Sequence, residues 1–369
     1  MILQGKVLKN LKKHLMPDVI LSASKIKQAQ SCSWKYWCSY QLKLPQKGND
    51  GSSRGTVCHN IYELLGQKKH FEKYKSVINS GSIFSDKGLS RLTESYAKKL
   101  SVNDDENMNL IDQMTMRGLS YDFFGNEDVK ADDCISEKAF NINIDEEGKK
   151  YRIRGFIDKL FLYCGGEKAL IRDFKTSKQL FKGKEITDNL QNLMYTLAVK
   201  KLFPKCSDIR VEFLFVKFDL EKDLLGSPGK GVMEMKPISQ DELEGFEYQL
   251  TSIQEYLENF DEKEAKGYFA ADQNYPSDNT FGGPLMCGKD GYKKRKGEYL
   301  LDENGEKILN YICEFRNPFD YYAVINSSGE LISCYFTEEE IKLKEGESIE
   351  KRKYQGCPHF HNEFSDVFV

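Results

Sequence analysis

Two short stretches of the sequence carry acidic residues that a β-hairpin would bring together. Tyr151 to Tyr163 and Lys168 to Lys175 have the composition of strands, and Gly165-Gly166 between them is typical of a two-residue hairpin turn. Counting outward from this turn places Asp158 directly opposite Asp173 on one face of the sheet. Because two carboxylates at that separation repel by about 0.2–1 kcal/mol, the pattern indicates that a cation lies between them. A hard divalent ion is the natural candidate.

Lys175 follows Asp173 by two residues and therefore shares its face of the strand. A carboxylate and an amine at this spacing can hold a water molecule beside a divalent ion and offset negative charge. The same residue types are also common on exposed strands, where an Asp173–Lys175 pair would contribute only to solubility. Asp158, Asp173, Lys175 and their immediate neighbours leave both interpretations open.

Composition places few limits on the kind of protein. The chain has 369 residues, enough for one large domain or two small ones, and its net charge of -3 means that any nucleic acid must be bound by a local positive patch. We expect a cytoplasmic, soluble protein, because no apolar run is long enough to span a membrane and the lysine-containing segment Met1 to His14 lacks the apolar core of a leader. In that compartment the ten cysteines are buried thiols or metal ligands.

The order of predicted elements indicates the fold class. The pattern predicts helices at 24–40, 54–65, 187–203 and 239–259, strands at 134–144, 151–163, 168–175 and 209–218, and a helical insertion at about 67–130. Helix, three strands, helix, strand predicts an α/β fold with a mixed central β-sheet flanked by helices. We predict a domain at 1–262 that contains the insertion, and a cysteine-containing carboxy-terminal extension at 263–369.

Two helices of this arrangement carry polar residues with an expected function. The apolar stripe of the first is Val57, Ile61, Leu64 and Leu65. His59 lies off that stripe, so it is either simply exposed or faces a site. The second helix, for which Thr187 is the expected cap, has Leu190, Leu193, Met194 and Leu197 as its packing stripe. Gln191 and Tyr195 lie one turn apart on another face, where they either form a polar rim or contact a site.

Together these motifs resemble the PD-(D/E)XK nuclease superfamily, and within it the RecB-type branch. The matching stretches, over roughly residues 21 to 218, are Arg54-Gly55-Thr56 with His59, Gly155 to Asp158, Asp173-Phe174-Lys175-Thr176, and Gln191 with Tyr195. The resemblance implies a restriction-endonuclease-like core.

The resemblance also implies roles for individual residues. Asp158, Asp173, the carbonyl of Phe174 and His59 would bind Mg²⁺ or Mn²⁺, and Lys175 would orient or deprotonate the attacking water. In addition, Glu137 would be a supporting residue, and Gln191 and Tyr195 would contact the nucleic-acid backbone or brace the site.

Many RecB-type nucleases also hold an iron–sulfur cluster. Cys32 matches the first ligand of that pattern, but Cys287, Cys313 and Cys357 are tens of residues apart, which departs from the usual tight group. The alternatives are zinc bound by Cys357, His359 or His361 with other cysteines, and simple buried thiols.

The expected function is a stand-alone deoxyribonuclease, most simply an exonuclease that acts on single-stranded DNA or DNA ends. The alternative is a nuclease-like module that binds DNA or a partner protein without cutting. The run Lys293-Lys294-Arg295-Lys296 after Tyr292 either contacts phosphates or is a solvated loop. Because Gly226 to Gly231 lacks the spacing of a Walker A motif, we expect no ATP binding, and a helicase or recombination protein would act in trans.

Overall fold

The computed structural model describes residues 19–126, 129–223, 227–273, 284–301 and 305–361. The segment Met1 to His14 lies outside the described residues. The described chain forms two compact units. The first comprises Gly48–Glu258 with the described residues before Ser24, and the second comprises Ser24–Lys47 with the described residues from Asn259 onward. The second unit thus contains a segment, residues 24–47, that the predicted boundary at 262 assigned to the amino-terminal domain.

The secondary structure is mixed throughout. The α-helices are α1 (Ala23–Ser31), α2 (Ser33–Tyr36), α3 (Asp50–Leu65), α4 (Phe71–Ser80), α5 (Lys87–Lys99), α6 (Asp105–Ser120), α7 (Lys184–Thr187), α8 (Leu190–Leu202), α9 (Gln240–Glu258), α10 (Glu262–Ala265) and α11 (Pro358–His361). The strands are β1 (Asp133–Glu146), β2 (Lys149–Tyr163), β3 (Lys168–Lys175), β4 (Asp208–Phe215), β5 (Val232–Glu234), β6 (Lys294–Arg295), β7 (Glu298–Tyr299), β8 (Phe319–Ile325), β9 (Leu331–Tyr335) and β10 (Ser348–Tyr354). In the described part of the chain, no helix is both long and apolar enough to cross a membrane.

The first unit is built on a five-stranded sheet in the order β1-β2-β3-β4-β5. The pairs β1–β2, β2–β3 and β4–β5 are antiparallel, whereas β3 and β4 are parallel. Parallel neighbours need a crossover connection, and α8 lies within the one between β3 and β4. The predicted α/β class, with a mixed central sheet flanked by helices, is confirmed.

The hairpin of β2 and β3 has the predicted register. Lys159 pairs with Arg172, so that the next position outward brings Asp158 opposite Asp173. The turn glycines Gly165-Gly166 have φ values of 67° and 90°, a backbone conformation that glycine adopts without the steric cost of a side chain. Local turn chemistry therefore fixes which residues meet at the far end of the hairpin.

Helix α3 begins earlier than the predicted Arg54. The Asn49 side chain accepts a hydrogen bond from the Ser52 amide, and the Ser52 hydroxyl accepts one from the backbone N–H of Asn49, which forms a capping box. One turn later, Gly55 faces the end of β3: a Cβ added there would lie 2.7 Å from Thr176 Oγ1. A larger residue at position 55 would separate the helix from the strand.

The insertion packs on α3 and buries more of its surface than the apolar stripe alone. Val57, Ile61 and Leu65 are buried as predicted, whereas Leu64 is only partly buried. Tyr62, on another face of the helix, is buried as well, and its hydroxyl donates to the carbonyl oxygen of Met114 in α6 at 2.7 Å. Helices α4, α5 and α6 contribute to this shared core.

Helix α8 has a different cap from the predicted one. The Asn189 side chain accepts hydrogen bonds from the amides of Gln191 and Asn192, and Thr187 instead ends the separate turn α7. Of the predicted packing stripe, Leu190 and Leu193 are only partly buried. The buried residues of the helix are Asn192, Met194, Tyr195, Thr196, Leu197, Ala198 and Val199.

The second unit contains a three-stranded antiparallel sheet in the order β10-β8-β9. Its small core includes Trp34, whose indole N–H donates to the Tyr354 hydroxyl at 2.7 Å. Part of the basic run forms the short ribbon β6–β7, in which the Lys294 amine lies 4.5 Å from the centre of the Tyr299 ring. The contact of this run with phosphates stays a prediction.

A buried ion pair ties the sheet to the end of the insertion. Arg172 on β3 is 2% exposed and pairs with Glu212 on the neighbouring strand β4. Its guanidinium also donates to the backbone carbonyls of Tyr121 and Asp122, at 3.0 and 2.6 Å. Because both charges are out of water, each depends on the other for compensation.

Glu212→Ala should therefore lower the free energy of unfolding by about 3 kcal/mol, since it leaves the buried guanidinium with only the more distant Asp122 carboxylate, 4.0 Å away, as counter-charge. Urea denaturation of the purified protein measures the change. The control is Glu234→Ala, which removes an exposed glutamate opposite Glu212 on β5 and should change stability by less than about 0.5 kcal/mol. Equal effects of the two substitutions would contradict the assignment.

Candidate active site

Three carboxylates form a row across three neighbouring strands. Asp158 on β2 lies opposite Asp173 on β3 when the β2–β3 register is continued by one pair. On the other side, the β1–β2 ladder pairs Ser136 with Lys159 and Lys138 with Ile157, so Glu137 lies opposite Asp158. Like charges directly opposite each other on a sheet are destabilising. The row therefore requires compensating positive charge.

Asp158 is the centre of the row. Its Oδ2 accepts a hydrogen bond from the backbone N–H of Phe174 at 2.8 Å, and the same oxygen lies 3.3 Å from Nδ1 of His59. His59 reaches this point from α3, off the apolar stripe of that helix. His59, Glu137 and Asp158 each offer one ligand atom, and these atoms lie within 4.8 Å of one another.

Asp173 is held by a network of polar side chains. Its Oδ2 accepts hydrogen bonds from the Tyr195 hydroxyl at 2.8 Å and from the Gln191 amide at 3.0 Å. Its Oδ1 is buried and forms an ion pair with the Lys175 amine at 2.6 Å. The Lys175 amine in turn donates to Oε1 of Gln191 at 2.8 Å.

The charges of the row shift the pKa values of its members. Burial by itself would lower the pKa of His59, but the charge and hydrogen bond of Asp158 outweigh it and raise that pKa to about 9. For Glu137, burial followed by repulsion from Asp158 raises the pKa to about 7. Burial also raises the pKa of Asp173, and Lys175 partly offsets the shift. Burial and the neighbouring carboxylates act together on these pKa values.

Glu137 has an unusual backbone. Its φ of 48° lies in the left-handed region, which a residue with a side chain rarely adopts, and it occurs in the middle of β1. A strained residue next to charged groups is a common feature of functional sites. Sequence reasoning assigned Glu137 a supporting position, and the structure brings its carboxylate within reach of Asp158 and His59.

Two members of the row, Asp158 and Asp173, line a cleft of about 770 Å³. The residues that line it are Asn49, Gly51, Ser52, Arg54, His59, Asp158, Asp173, Phe174, Lys175, Thr176, Ser177, Lys178, Gln191, Tyr195 and Lys217. All of them belong to the first unit. One wall is acidic, and Arg54, Lys178 and Lys217 add positive charge to the rest of the cleft.

The donor set suits a divalent ion. Carboxylate oxygens with one imidazole are ligands that Mg²⁺ and Mn²⁺ accept. The Oδ1 of Asp173 is buried and has the Lys175 amine 2.6 Å away, which shows that this position is built to hold positive charge next to the carboxylate. A metal ion at this place would also relieve the repulsion within the row. The residues present therefore fit such an ion.

The four cysteines of the predicted cluster lie together elsewhere. Cys32, Cys287, Cys313 and Cys357 all belong to the second unit and line one small apolar cavity. Burial raises the pKa of Cys287 to about 11 and of Cys357 to about 12, and in both cases the charges of neighbouring cysteines add to the shift. The fold thus brings together four cysteines that are far apart in the sequence.

The zinc alternative has no geometric support among the described side chains. His359 pairs with Asp272 at 3.2 Å. Within the described residues, the three-residue set of close ligand atoms is His59, Glu137 and Asp158, and it includes no cysteine. A zinc ion bound by thiolates would need sulfur atoms about 3.8 Å apart.

Sequence reasoning missed the cationic part of the cleft. Arg54 was quoted only as part of a motif, and Lys178 and Lys217 were given no role. Lys217 follows β4 by two residues and Lys178 follows β3 by three, so both come after strands that run in parallel. Basic residues after neighbouring parallel strands are a usable signal, because such strand ends share one edge of the sheet.

Comparison with known proteins agrees with this geometry. A sequence model of the PD-(D/E)XK nuclease superfamily matches residues 20–276 of the chain. No curated protein matches it.

The raised pKa of His59 predicts a proton-linked metal site. At pH 7 this imidazole is protonated, and a metal ion that uses it as a ligand must displace the proton. Calorimetric titration with Mn²⁺ in buffers of different ionisation enthalpy should show that His59→Gln releases about one proton fewer than the wild type. His70→Gln, outside the cleft, is the control.

In the metal-free protein, protonated His59 stabilises the fold, and this contribution decreases as the pH rises. The pKa of His59 is raised from 6.5 to about 9, so its contribution to stability is fully present below pH 6.5 and is lost as the pH rises through 9. Mn²⁺ affinity should increase over this interval. An affinity that is independent of pH, or a proton count unchanged in His59→Gln, would exclude His59 as a ligand.

Proposed function

Because the chain belongs to the PD-(D/E)XK nuclease superfamily, we propose that it hydrolyses phosphodiester bonds of DNA with a divalent metal ion held by the carboxylate row. Members of this superfamily are nucleases that use such ions. The observation that carries the proposal is the row itself, Glu137, Asp158 and Asp173, with Lys175 paired to its last member. Substrate and mode of cleavage follow below as parts of the same proposal.

The metal ligands in this proposal are Asp158, His59 and Glu137, together with Asp173. The first three already offer ligand atoms close to one another, and Asp173 adds a buried carboxylate whose Oδ1 is paired with Lys175 at 2.6 Å. The carbonyl of Phe174 is the fifth candidate ligand. When bound, Mg²⁺ or Mn²⁺ supplies Lewis-acid activation of water and of the phosphate oxygen.

Lys175 orients the attacking water and offsets the charge that builds up on the phosphate. Its amine is fixed from two sides, by Asp173 at 2.6 Å and by Oε1 of Gln191 at 2.8 Å. A charged donor that is already oriented loses little free energy by reorganisation during the reaction. Because Lys175 also lines the cleft, a phosphate there can reach it.

Gln191 and Tyr195 act in this proposal mainly as braces. Both donate to Oδ2 of Asp173, and Gln191 also accepts from Lys175. Of the two roles expected for these residues, this pattern supports bracing more than contact with the nucleic-acid backbone. Tyr195 is 5% exposed, which leaves little of it for a ligand.

The finer assignment is a RecB-type exonuclease that acts on single-stranded DNA or DNA ends in recombination, repair or phage DNA processing. It is supported by His59 and by the Gln191–Tyr195 pair, which correspond to signatures of that branch and lie at the proposed centre. A helicase or recombination protein would act in trans. The alternative, a module that binds DNA without cutting, is disfavoured because every catalytic residue type is present.

The second part of the proposal is an iron–sulfur cluster bound by Cys32, Cys287, Cys313 and Cys357. All four thiols line one cavity, and within the described residues no three cysteine sulfurs lie mutually within 4.8 Å. Four cysteine thiolates are the usual ligand set of an iron–sulfur cluster. Cys38 is nearby in the second unit, but its thiol is hydrogen-bonded to Tyr354 at 3.5 Å.

Lys175→Met should reduce cleavage of linear single-stranded DNA by at least about 100-fold, since it removes a charged group that acts on the reacting phosphate. End-labelled DNA with Mg²⁺ or Mn²⁺ gives the rate, and circular dichroism checks the fold. The control, Lys168→Met, changes an exposed lysine at the other end of β3. Cleavage by Lys175→Met at the rate of the control would overturn the assignment.

Protein purified without oxygen should contain about four iron and four sulfide ions per chain and absorb visible light. Cys313→Ser should lose both, because three cysteines remain to hold a four-iron cluster. Cys164→Ser is the matched control, since this thiol is exposed in the β2–β3 hairpin of the first unit. Iron content unaffected by Cys313→Ser, or stoichiometric zinc in its place, would rule out the cluster.

A further inference from the structure

Three cationic side chains line the same cleft as Asp158 and Asp173. Arg54 projects from the first turns of α3, Lys178 follows β3, and Lys217 follows β4. The three residues are remote in sequence but close in space. Burial lowers the pKa of the Lys217 amine, and the charges of Arg54 and Lys178 lower it further. They therefore repel one another in the folded protein.

Arg54 is the buried member of this group. It is 8% exposed, and its guanidinium donates to the side-chain oxygen of Asn107. Its Nε–H, however, is buried without an acceptor. A buried donor in that condition is unfavourable and indicates that an acceptor is supplied from outside the chain.

The helical insertion holds Arg54 in place. Asn107, in the first turn of α6, has its amide bound by Asp104 and Asp50, so that its oxygen faces the guanidinium. Arg54 is thus fixed by a neutral amide and keeps its charge for another partner. Gly51 in the first turn of α3 also lines the cleft, and the positive end of the helix dipole adds to the attraction for an anion.

The carboxylates of the cleft do not neutralise these cations. Asp158 is paired with His59, and Asp173 with Lys175. Across the described residues, none of Arg54, Lys178 and Lys217 forms an ion pair with a carboxylate. The two carboxylates that line the cleft each have a cationic partner, whereas the three cations have no carboxylate partner among the described residues.

We propose that Arg54, Lys178 and Lys217 form a subsite for a second, non-scissile phosphate of the nucleic-acid strand, next to the phosphate that is cut. The inference rests on the proposed function, because it takes the carboxylate row to be the cutting centre. Arginine and lysine are the side chains that bind phosphate oxygens most strongly. The subsite would fix where along the strand the scissile bond lies.

The second phosphate has two sources, the end of a strand or an internal position. A terminal phosphate monoester carries a charge of about -1.5 to -2 at pH 7, whereas an internal diester carries one negative charge. The three positive charges of the subsite match the higher negative charge of the terminal phosphate better than the single charge of an internal one. Binding by the terminal group would make the enzyme measure from a phosphorylated end, and binding by an internal group would leave it indifferent to the ends.

The test is a binding titration without divalent ions, in EDTA, so that no strand is cut. Fluorescence anisotropy compares single-stranded oligonucleotides that carry a 5′-phosphate, a 3′-phosphate or only hydroxyl ends. The variants are Lys217→Gln and Lys178→Gln, with Lys217→Arg to keep the charge. Lys168→Gln, an exposed lysine at the far end of β3, is the matched control.

Lys217→Gln and Lys178→Gln should each weaken binding about tenfold, since a hydrogen bond to a charged group is lost. Each should also reduce the salt dependence of binding by about one phosphate contact. Lys217→Arg should bind like the wild type. A loss confined to one phosphorylated oligonucleotide identifies the terminal group at that end, and an equal loss on all three identifies an internal phosphate.

Wild-type affinity in both glutamine variants, or an equal loss in Lys168→Gln, overturns the subsite. Failure of the cutting centre is detected separately, with Mn²⁺ and a nucleotide p-nitrophenyl ester that has a single phosphate. If the wild type fails to hydrolyse this ester and DNA, the proposed function is wrong, and the EDTA titration still decides the subsite. If hydrolysis occurs and the titration shows no loss, only the subsite is wrong.

Discussion

The repulsion among Glu137, Asp158 and Asp173 is the constraint on which the rest of the site depends. Three carboxylates on adjacent strands are unfavourable unless positive charge is supplied from other elements. His59 supplies it from α3 and Lys175 from the same face of β3. The charge of Asp158 raises the pKa of His59, and burial together with repulsion from Asp158 raises the pKa of Glu137. A divalent ion completes the compensation in the proposed enzyme, so that substrate chemistry and stability of the site depend on one electrostatic balance.

Two helices hold this arrangement, and each is fixed by a local device. The Asn49–Ser52 capping box sets the start of α3, and Gly55 lets that helix approach Thr176 closely enough for His59 to reach Asp158. Asn189 likewise sets the start of α8, the helix from which Gln191 and Tyr195 reach Asp173. The hydrogen bonds of these two residues decide where Asp173 and Lys175 point. Loss of either capping hydrogen bond should thus shift the residues around the carboxylates, although neither cap contacts them.

The insertion between α3 and β1 has two structural tasks. Its helices cover α3 and complete the core around Tyr62, and Asn107 of α6 fixes Arg54 at the edge of the cleft. Arg172 joins the same insertion to the sheet through the carbonyls at 121 and 122. A segment that carries no recognisable motif therefore shapes the electrostatics of the cleft. All of these contacts lie within the first unit, whereas the four clustered cysteines belong to the second.

The sequence by itself determined the hairpin register, because a Gly-Gly turn and the two-residue period of strands fix the pairing of Asp158 with Asp173 locally. It also determined the α/β class and the family, since their motifs follow in order along the chain. Only the tertiary structure decided that Glu137 joins Asp158, that Arg54 faces Lys217, and that Cys32 shares a cavity with Cys357. These groups meet through packing of distant elements, which no short-range pattern encodes. The cap of α8 was missed for a related reason: Thr187 and Asn189 are both good caps, and the choice depends on where α7 ends.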